Sequence, residues 1–433
     1  MRALPRRDLP LVAAVLRAAR GRGAAVYLVG GPVRDLLLER PLRDVDLLVV
    51  PPEGGELAAG ELARAAAPEG AQVTLHERFG TVTLSAGDAA IDLASARTER
   101  YPRPGALPEV QPGTLEEDLR RRDFSVNALA LRLSGPARRG ELELVDADDG
   151  LRDLEARRLR ILHRRSFHDD PTRALRAARL APRLGFALSR GSRSALRDAL
   201  RDGAFGAVSG DRLRREIEKL FDDVQLGLDP SAALRRLAEW HVLPALEPGL
   251  DLPREAAAPL RRLGRAIASP PWSGPRWRAW AAGLSTWLAP LAPDLRRRTL
   301  RRFSVRGELE RRVAGFPRLR DGTLAALSGA RGRGAVDAVL GELDEERLFA
   351  LYAWSPPAIR RRIVRWAAED RTRRPPVTGA DLVAAGLSGP SVGRALARIR
   401  AAYLDGGVAN REEAIALARE LERRRPRPGR RKR

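Results

Sequence analysis

An α/β head with a small mixed or antiparallel sheet, followed by an all-α remainder, is the fold class this sequence predicts. Three observations carry it. Short runs of Val, Leu, Ile and Thr, bounded by Gly, Pro or Asp, fall at residues 26–30, 45–50, 81–85 and 90–94 and read as strands. Segments 34–39 and 57–66 between them read as helices. Beyond about residue 150 nearly everything carries a helical period, as in "PTRALRAARLAPRLGF" and "DRLRREIEKLFDDV". "NALAL" at 127–131 fits helix or strand equally, and the mixture of strands and helices ends near residue 145. Proline and glycine breaks fall near 244–253, 269–275, 315–322, 355–357 and 374–379, and no fixed-period repeat is present.

The chain has 433 residues, more than one hydrophobic core usually serves. It has no cysteine, which excludes a disulfide framework and a thiolate metal site. The opening "MRALPRRDLPLVAAVLRAARGRG" has an apolar stretch interrupted by Arg17. It is too short and too charged for a membrane span and reads as a short amphipathic helix, with the cytosol (a cytoplasmic setting) as the expected compartment. The net charge is +23, from 79 Lys+Arg against 56 Asp+Glu, which calls for a polyanionic partner, nucleic acid above all. Lysine occurs only at positions 219 and 432. A biased genome explains arginine in place of lysine, but not the surplus of bases over acids.

"VYLVGGPVRDLLLERPLRDVDLLVV", from Val26 to Val50, holds the first chemistry. Alternate residues of a strand share a face, so Asp44 and Asp46 are expected on one side with Val45 turned into the core. Two neighbouring carboxylates repel unless a cation lies between them. Mg²⁺ is commonly held by one or two carboxylates together with substrate phosphates. Gly30 and Gly31 leave backbone N–H groups open to phosphate oxygens, at the start of a helix from about Pro32, and Arg34 is placed to pair with a phosphate. A lone D-x-D or Gly-Gly pair is usually a turn. The order strand, Gly-Gly, helix with Arg, then D-x-D suits two-metal nucleotidyl transfer. "AIDLASARTERY" adds Asp92, either a third carboxylate near the metals or an Asp satisfied by hydrogen bonds.

"YLVGGPVRDLLL…RDVDLLV" resembles the signature of class II tRNA nucleotidyltransferases (CCA-adding enzymes) and bacterial poly(A) polymerases, within the polymerase-β-like nucleotidyltransferase superfamily. The resemblance continues through "FGTVTL", "IDLASARTERY", "LEEDLRRRDFSVNALAL", "DDPTRALRAARLAPRLGF" and "VTGADLVAAGLSGPSVGRAL", and is weakest over about 240–370. It implies a nucleotidyltransferase head over 20–145, a neck over 146–265, a body over 266–372, a tail over 373–422, and a basic end over 423–433. It implies a two-metal Mg²⁺ site at Asp44 and Asp46, with CTP and ATP as substrates and tRNA, its 3′ end and elbow, as partner. Neither a membrane nor a protein partner is implied. The activity implied is addition of CCA, or part of it, to tRNA 3′ ends. The alternatives are a bacterial poly(A) polymerase, a partial CC- or A-adding enzyme, and, in another class, a non-catalytic RNA-binding protein. Partial enzymes differ in a flexible loop, here roughly residues 97–117.

In "RRDFSVNAL" the resemblance makes Arg122 and Asp123 the sugar and phosphate contacts, with Asn127 bracing the loop. Alone, Arg122–Asp123 would read as a surface ion pair. In "DDPTRALRAAR", Asp170, Arg173, Arg176 and Arg179 recur every third residue along one expected helix. Asp170 supplies acceptors and Arg173 a rigid fork of donors. Together they form an edge that accepts cytosine and adenine, whose amino group neighbours a ring-nitrogen acceptor, and rejects uracil and guanine. The resemblance implies that role too, with Arg176 and Arg179 reaching phosphates or stiffening Asp170. Without the upstream motifs the same series reads as a face of i, i+3 ion pairs. The family's usual Glu-Asp is Asp169-Asp170 here. "SGDRLRREIEKLF" reads as a structural brace with an Arg212–Glu216 pair. His168-Asp169 spells a dipeptide of metal-dependent phosphohydrolases, but the chain's four histidines lack the remaining spacing.

"GLSGPSVG", entering a helix, offers N–H groups to an RNA phosphate; the RNA-contact residues expected are Gly386, Gly389, Gly393 and Arg394. Tryptophans 272, 277, 280 and 287 read as core packing rather than a base-stacking platform. The end "RRRPRPGRRKR" is either a solubilising terminus or a nonspecific phosphate contact.

Overall fold

A computed structural model describes residues 4–52, 58–76, 80–134, 143–267, 269–272 and 279–423. The basic end from 424 and Trp277 lie outside the described residues. The chain divides into two compact units: residues 1–213 with 236–248, and residues 214–235 with 249–433.

The first unit is built on a seven-stranded sheet. Helix α1 (Leu9–Arg20) buries Leu11, Val12, Val15 and Ala19 on one face, the i, i+1, i+4, i+8 stripe of an amphipathic helix. Strand β1 (Ala25–Val29) leads through Gly30 into α2 (Gly31–Leu37), and β2 (Asp46–Val50) follows. Next come α3 (Ala59–Ala66), β3 (Gln72–His76), β4 (Thr81–Ala86) and β5 (Ala89–Ser95). A separate antiparallel hairpin, β6 (Arg97–Arg100) with β7 (Glu109–Pro112), precedes α4 (Leu115–Arg120). A 3-10 turn at Ser125–Asn127 then feeds β8 (Leu129–Arg132), which pairs with β9 (Leu144–Asp146). The strand order is β3-β4-β5-β2-β1-β8-β9. Only β2 and β5 run parallel; the other neighbours are antiparallel, which makes the sheet mixed as expected.

The helical part of this unit begins with α5 (Gly150–Glu155) and continues through α6 (Ser166–Asp169), α7 (Thr172–Leu184) and α8 (Arg190–Arg201) to α9 (Gly210–Asp222), whose first residues belong to it. A two-residue parallel pair, β10 (Arg158–Leu159) with β11 (Ala187–Leu188), is the strand content in the region read as helical.

The second unit is helical throughout its described residues. Trp287 is fully buried and its indole donates to the Asp251 carbonyl at 2.9 Å. Trp272 is buried against Phe349 and Tyr352, so both pack the core as the sequence suggested. At the C-terminal end, Val377, Leu382, Leu387, Ile399 and Val408 close a small core of their own.

Three local expectations are corrected. "NALAL" is neither all helix nor all strand: the 3-10 turn ends at Asn127 and β8 starts at Leu129. Residues 97–117 are not one loop, since they contain the β6–β7 hairpin and the first turn of α4. Asp170 does not ride on a helix with Arg173. Pro171 disfavours the helical conformation at the preceding residue, and Asp170 sits extended (φ −132°, ψ 90°) between α6 and α7.

Gly150 opens α5 directly against the turn that carries Asn127. A Cβ there would lie 2.4 Å from the Ser125 carbonyl oxygen and 3.0 Å from Leu129. Backbone cannot yield as a side-chain tip can. Gly150→Ala is expected to destabilise the first unit by about 1–3 kcal/mol, read as a fall in chemical-denaturation midpoint.

Candidate active site

The sheet brings acids from separate strands into one row. Asp46 opens β2 and lies directly opposite Asp92 on the parallel strand β5; Thr83 on β4 faces Asp92 in turn. Thr83 Oγ1 donates to Asp92 Oδ1 at 2.6 Å. Asp44 is exposed and precedes β2, while Val45 is buried and its carbonyl extends the ladder to the Asp92 N–H at 2.9 Å. The strand therefore starts two residues later than the expected Asp44–Asp46 alternation needs, although Val45 does turn inward. Burial pushes the Asp46 carboxyl up to about 6; Asp92 adds to the rise, Arg122 opposes it, and Asp44 adds the least. A carboxylate destabilised by burial and by neighbouring acids fits a divalent cation. Among the described residues no three His, Cys, Asp or Glu side chains are assembled to hold an ion unaided. The fit is of carboxylates sharing an ion with phosphate oxygens, the usual arrangement for Mg²⁺.

Gly30 lies beside this row. Its φ of 73° and ψ of −132° suit glycine alone, and a Cβ there would sit 2.7 Å from Arg122 Nη1. Gly31 is the first residue of α2. Arg34, expected to pair with a phosphate, is engaged within the protein. It is buried, gives Nε and Nη2 to Asp35 Oδ1 at 2.9 and 2.7 Å, and gives Nη1 to Asn127 Oδ1 at 2.7 Å. Sequence reading missed this because Asn127 is 93 residues away.

Asn127 braces the loop as expected from the sequence. Its amide donates to Asp123 Oδ1 at 2.8 Å, and the Phe124 N–H reaches the same oxygen at 2.9 Å. The other Asp123 oxygen lies 3.9 Å from Arg176, which also stands 3.7 Å from Asp170. Arg122 is held by the buried Asp118 at 2.9 Å.

Asp170 is 4% exposed and surrounded by donors. Its Oδ1 accepts from the Thr172 N–H at 3.0 Å and from Arg212 Nη2 at 2.6 Å. Burial raises its carboxyl, but Arg176, Arg212, the Thr172 hydrogen bond and Arg173 outweigh that and hold it below the usual carboxylate range. Arg173 is buried, donates to Ser166 Oγ, and gives Nη2 to the Arg121 carbonyl at 2.8 Å. Asp170 and Arg173 are neighbours here, each held by its own partners. Arg179 is half-buried on α7. Arg212 turns to Asp170 and also donates to the Gly105 and Ala106 carbonyls at 2.8 and 3.2 Å. That role was hidden because Asp170 is 42 residues away. Tyr101 hydrogen-bonds Glu99 at 3.0 Å, and burial followed by the Glu99 charge pushes its hydroxyl up to about 12.

In the second unit, Gly386 (φ 99°) and Gly389 (φ 54°) adopt left-handed or related conformations before the helix Pro390–Leu404. Gly393 and Arg394 are exposed on its second turn. No described helix is long and apolar enough to cross a membrane.

A glycine-led helix start beside acids on adjacent strands defines a nucleotidyltransferase head. Residues 26–160 match the poly(A) polymerase head domain. The A-adding tRNA nucleotidyltransferase of Halalkalibacterium halodurans is 32% identical over 410 residues, covering 92% of this chain and 88% of that one. The CC-adding tRNA nucleotidyltransferase of Deinococcus radiodurans is 41% identical over 250 residues, covering 56% of this chain and 62% of that one. The chain spans only 29% of the length of the A-adding enzyme of Aquifex aeolicus. The structure of a Thermotoga maritima CCA-adding enzyme complexed with tRNA superposes with a TM-score of 0.68 at 26% identity, over 96% of this chain and 95% of that one. The chain belongs to the class II CCA-adding tRNA nucleotidyltransferase family, the one its head motifs resemble.

Asp46 has a measurable cost. Below pH 3.8 it is protonated folded or unfolded; between 3.8 and about 6 the unfolded chain releases its proton while the folded one keeps it, so stability falls as pH rises through that window. Asp46→Asn removes the penalty. The variant is expected to be more stable than the parent at pH 7.5, without divalent ions, by about 1–3 kcal/mol. The gap should close at pH 3.5 in parallel urea titrations.

Proposed function

We propose that this protein is a template-independent RNA nucleotidyltransferase that adds CCA, or part of it, to tRNA 3′ ends from CTP and ATP. The observation that carries the reading is the row of Asp46 and Asp92 beside Gly30 and Arg122. The 3′-hydroxyl attacks the α-phosphate, a new phosphodiester bond forms, and the bond to pyrophosphate breaks. Asp46, with Asp44 and Asp92, would hold Mg²⁺, which when bound lowers the pKa of the attacking hydroxyl and steadies the departing pyrophosphate. Arg122 faces the triphosphate over Gly30, and Asp123 accepts hydrogen bonds from the ribose. Arg34 and Asn127 hold that loop rather than touch the nucleotide. Asp170 and Arg173 present the edge that selects C and A, and Arg176 bridges Asp123 to Asp170. In this reading the head spans 20–145, the neck with the base edge 146–265, the body 266–372, and the tail 373–422. Gly386, Gly389, Gly393 and Arg394 contact the RNA elbow.

A-only addition is the second reading, favoured by the A-adding relative that matches along nearly the whole chain. Two tRNA substrates separate them, one lacking CCA and one ending in CC. An A-adding enzyme extends only the second. No incorporation into either substrate by folded protein with Mg²⁺, CTP and ATP overturns the proposal.

Asp44→Ala is expected to reduce CMP and AMP addition together by at least ~10³-fold while tRNA affinity in filter binding stays within about twofold.

A further inference from the structure

Asp118 carries no role in the reading above, yet its carboxylate is fully buried. It lies in α4, three and four residues before Arg121 and Arg122, the spacing at which helical neighbours meet. The two oxygens are divided between them. Oδ1 accepts from Arg121 Nε and Nη2 at 2.9 and 2.6 Å; Oδ2 accepts from Arg122 Nη2 at 2.9 Å. Arg121 has a second acid, Glu99, at 2.6 Å from Nη1. Its backbone carbonyl receives Arg173 Nη2 at 2.8 Å. Arg121 is thus fully committed, and it ties α4 to the base-edge arginine.

Arg122 is different. Its Nη2 is fixed by Asp118, its Nη1 stands where a Cβ of Gly30 would be 2.7 Å away, and its Nε is buried with no hydrogen-bond partner. A buried guanidinium nitrogen left unpaired is costly. Glu99 is shared with Arg97 at 3.1 Å, so three guanidinium groups meet the two carboxylates Asp118 and Glu99 and positive charge is left over; Arg122 is the one of the three that lies on the glycine turn. We propose that Asp118 is a positioning residue: it divides one carboxylate between two consecutive arginines and so aims Arg122 at the triphosphate of the incoming nucleotide. This inference rests on the proposed nucleotidyl transfer for its substrate. Its physical content is narrower. Without Asp118, Arg122 loses the bond that fixes its direction over Gly30, while Arg121 keeps Glu99.

The test is a double-substitution cycle of Asp118→Asn and Arg122→Gln on the full chain. Steady-state addition to tRNA is read together with equilibrium binding of inorganic tripolyphosphate. Asp118→Asn is expected to raise KM for CTP and ATP, and to weaken tripolyphosphate binding, by about tenfold with KM for tRNA unchanged. In the Arg122→Gln background the same change should have little further effect, because its target is gone. Additive losses, or unchanged tripolyphosphate affinity in folded Asp118→Asn, overturn the proposal. Should that variant fail to fold by circular dichroism, Arg122→Lys with Asp118 intact keeps the ion pair but not the second nitrogen over Gly30. It is expected to weaken tripolyphosphate binding as strongly, and parental affinity in it overturns the proposal. The binding arm needs no tRNA chemistry. Absent incorporation by the parent with tripolyphosphate binding that still depends on Asp118 refutes the transfer reading alone.

Discussion

A run of charged and polar side chains, joined by hydrogen bonds and ion pairs, links the sheet to the helices that follow it, and the site depends on it. Asp35 holds Arg34, Arg34 holds Asn127, and Asn127 holds Asp123. Arg176 stands between Asp123 and Asp170, and Asp170 accepts from Arg212. Buried charge is tolerated only when paired and hydrogen-bonded, and removing one member of a buried pair leaves the other uncompensated. Each interior member of the run stands between two partners, with the neutral Asn127 amide accepting from Arg34 and donating to Asp123. Side chains drawn from α2, the 3-10 turn, α7 and α9 are thereby held in register, though these four elements lie far apart in sequence. Of this run, the sugar-facing Asp123 and the base-edge Asp170 are the two proposed to meet the nucleotide. The remainder fix their positions.

The acids of the sheet obey the opposite logic. Asp46 is flanked by Asp92 and Asp44, with Arg122 as the opposing charge named at its carboxyl. Where Asp170 gathers donors that hold it ionised, Asp46 is raised first by burial and then by the like charge of Asp92. One carboxyl group is thus built to remain an acceptor, and the other to gain from an arriving cation. The contrast separates the acid proposed to recognise the base from the acid proposed to face the metal without appeal to motif position.

Much of this was legible in the sequence, and the failures share one cause. The strands near 26–30, 45–50, 81–85 and 90–94 were readable because a central strand is a run of branched apolar residues between turn formers. The acids were readable because strand alternation is local. Strand β3 escaped because most of its residues are exposed and carry no apolar run. The β6–β7 hairpin escaped for a related reason: it is short and polar, stabilised by pairing that local composition does not encode. The protein partners of Arg34, Arg212 and Asp118 were passed over because an arginine or aspartate looks the same whether it meets water, substrate or a distant partner. The break at Pro171 was visible, yet the threefold spacing of Asp170, Arg173, Arg176 and Arg179 overrode it.

That break has a consequence for base selection. Had Asp170 continued α7, its side chain would project with the arginine row; its backbone N–H instead closes α6 on the Ser166 carbonyl and its own carbonyl receives the Arg173 N–H. Instead, the residue is extended, and Oδ1 is taken up by Thr172 and Arg212 on one side. Oδ2 is left toward Arg176, at 3.7 Å, longer than a hydrogen bond. A carboxylate accepts through about four lone-pair sites, so the acceptor capacity that remains is concentrated on that second oxygen. An amino donor meeting the residue there would complete its coordination without displacing Arg212. A carbonyl oxygen in the same place would face a carboxylate that has no proton to give, because the surrounding arginines keep it ionised. In the proposed base recognition, discrimination between amino and keto bases would follow from the protonation state of one buried acid, and the residues that fix that state lie in α7 and α9 rather than in the sheet.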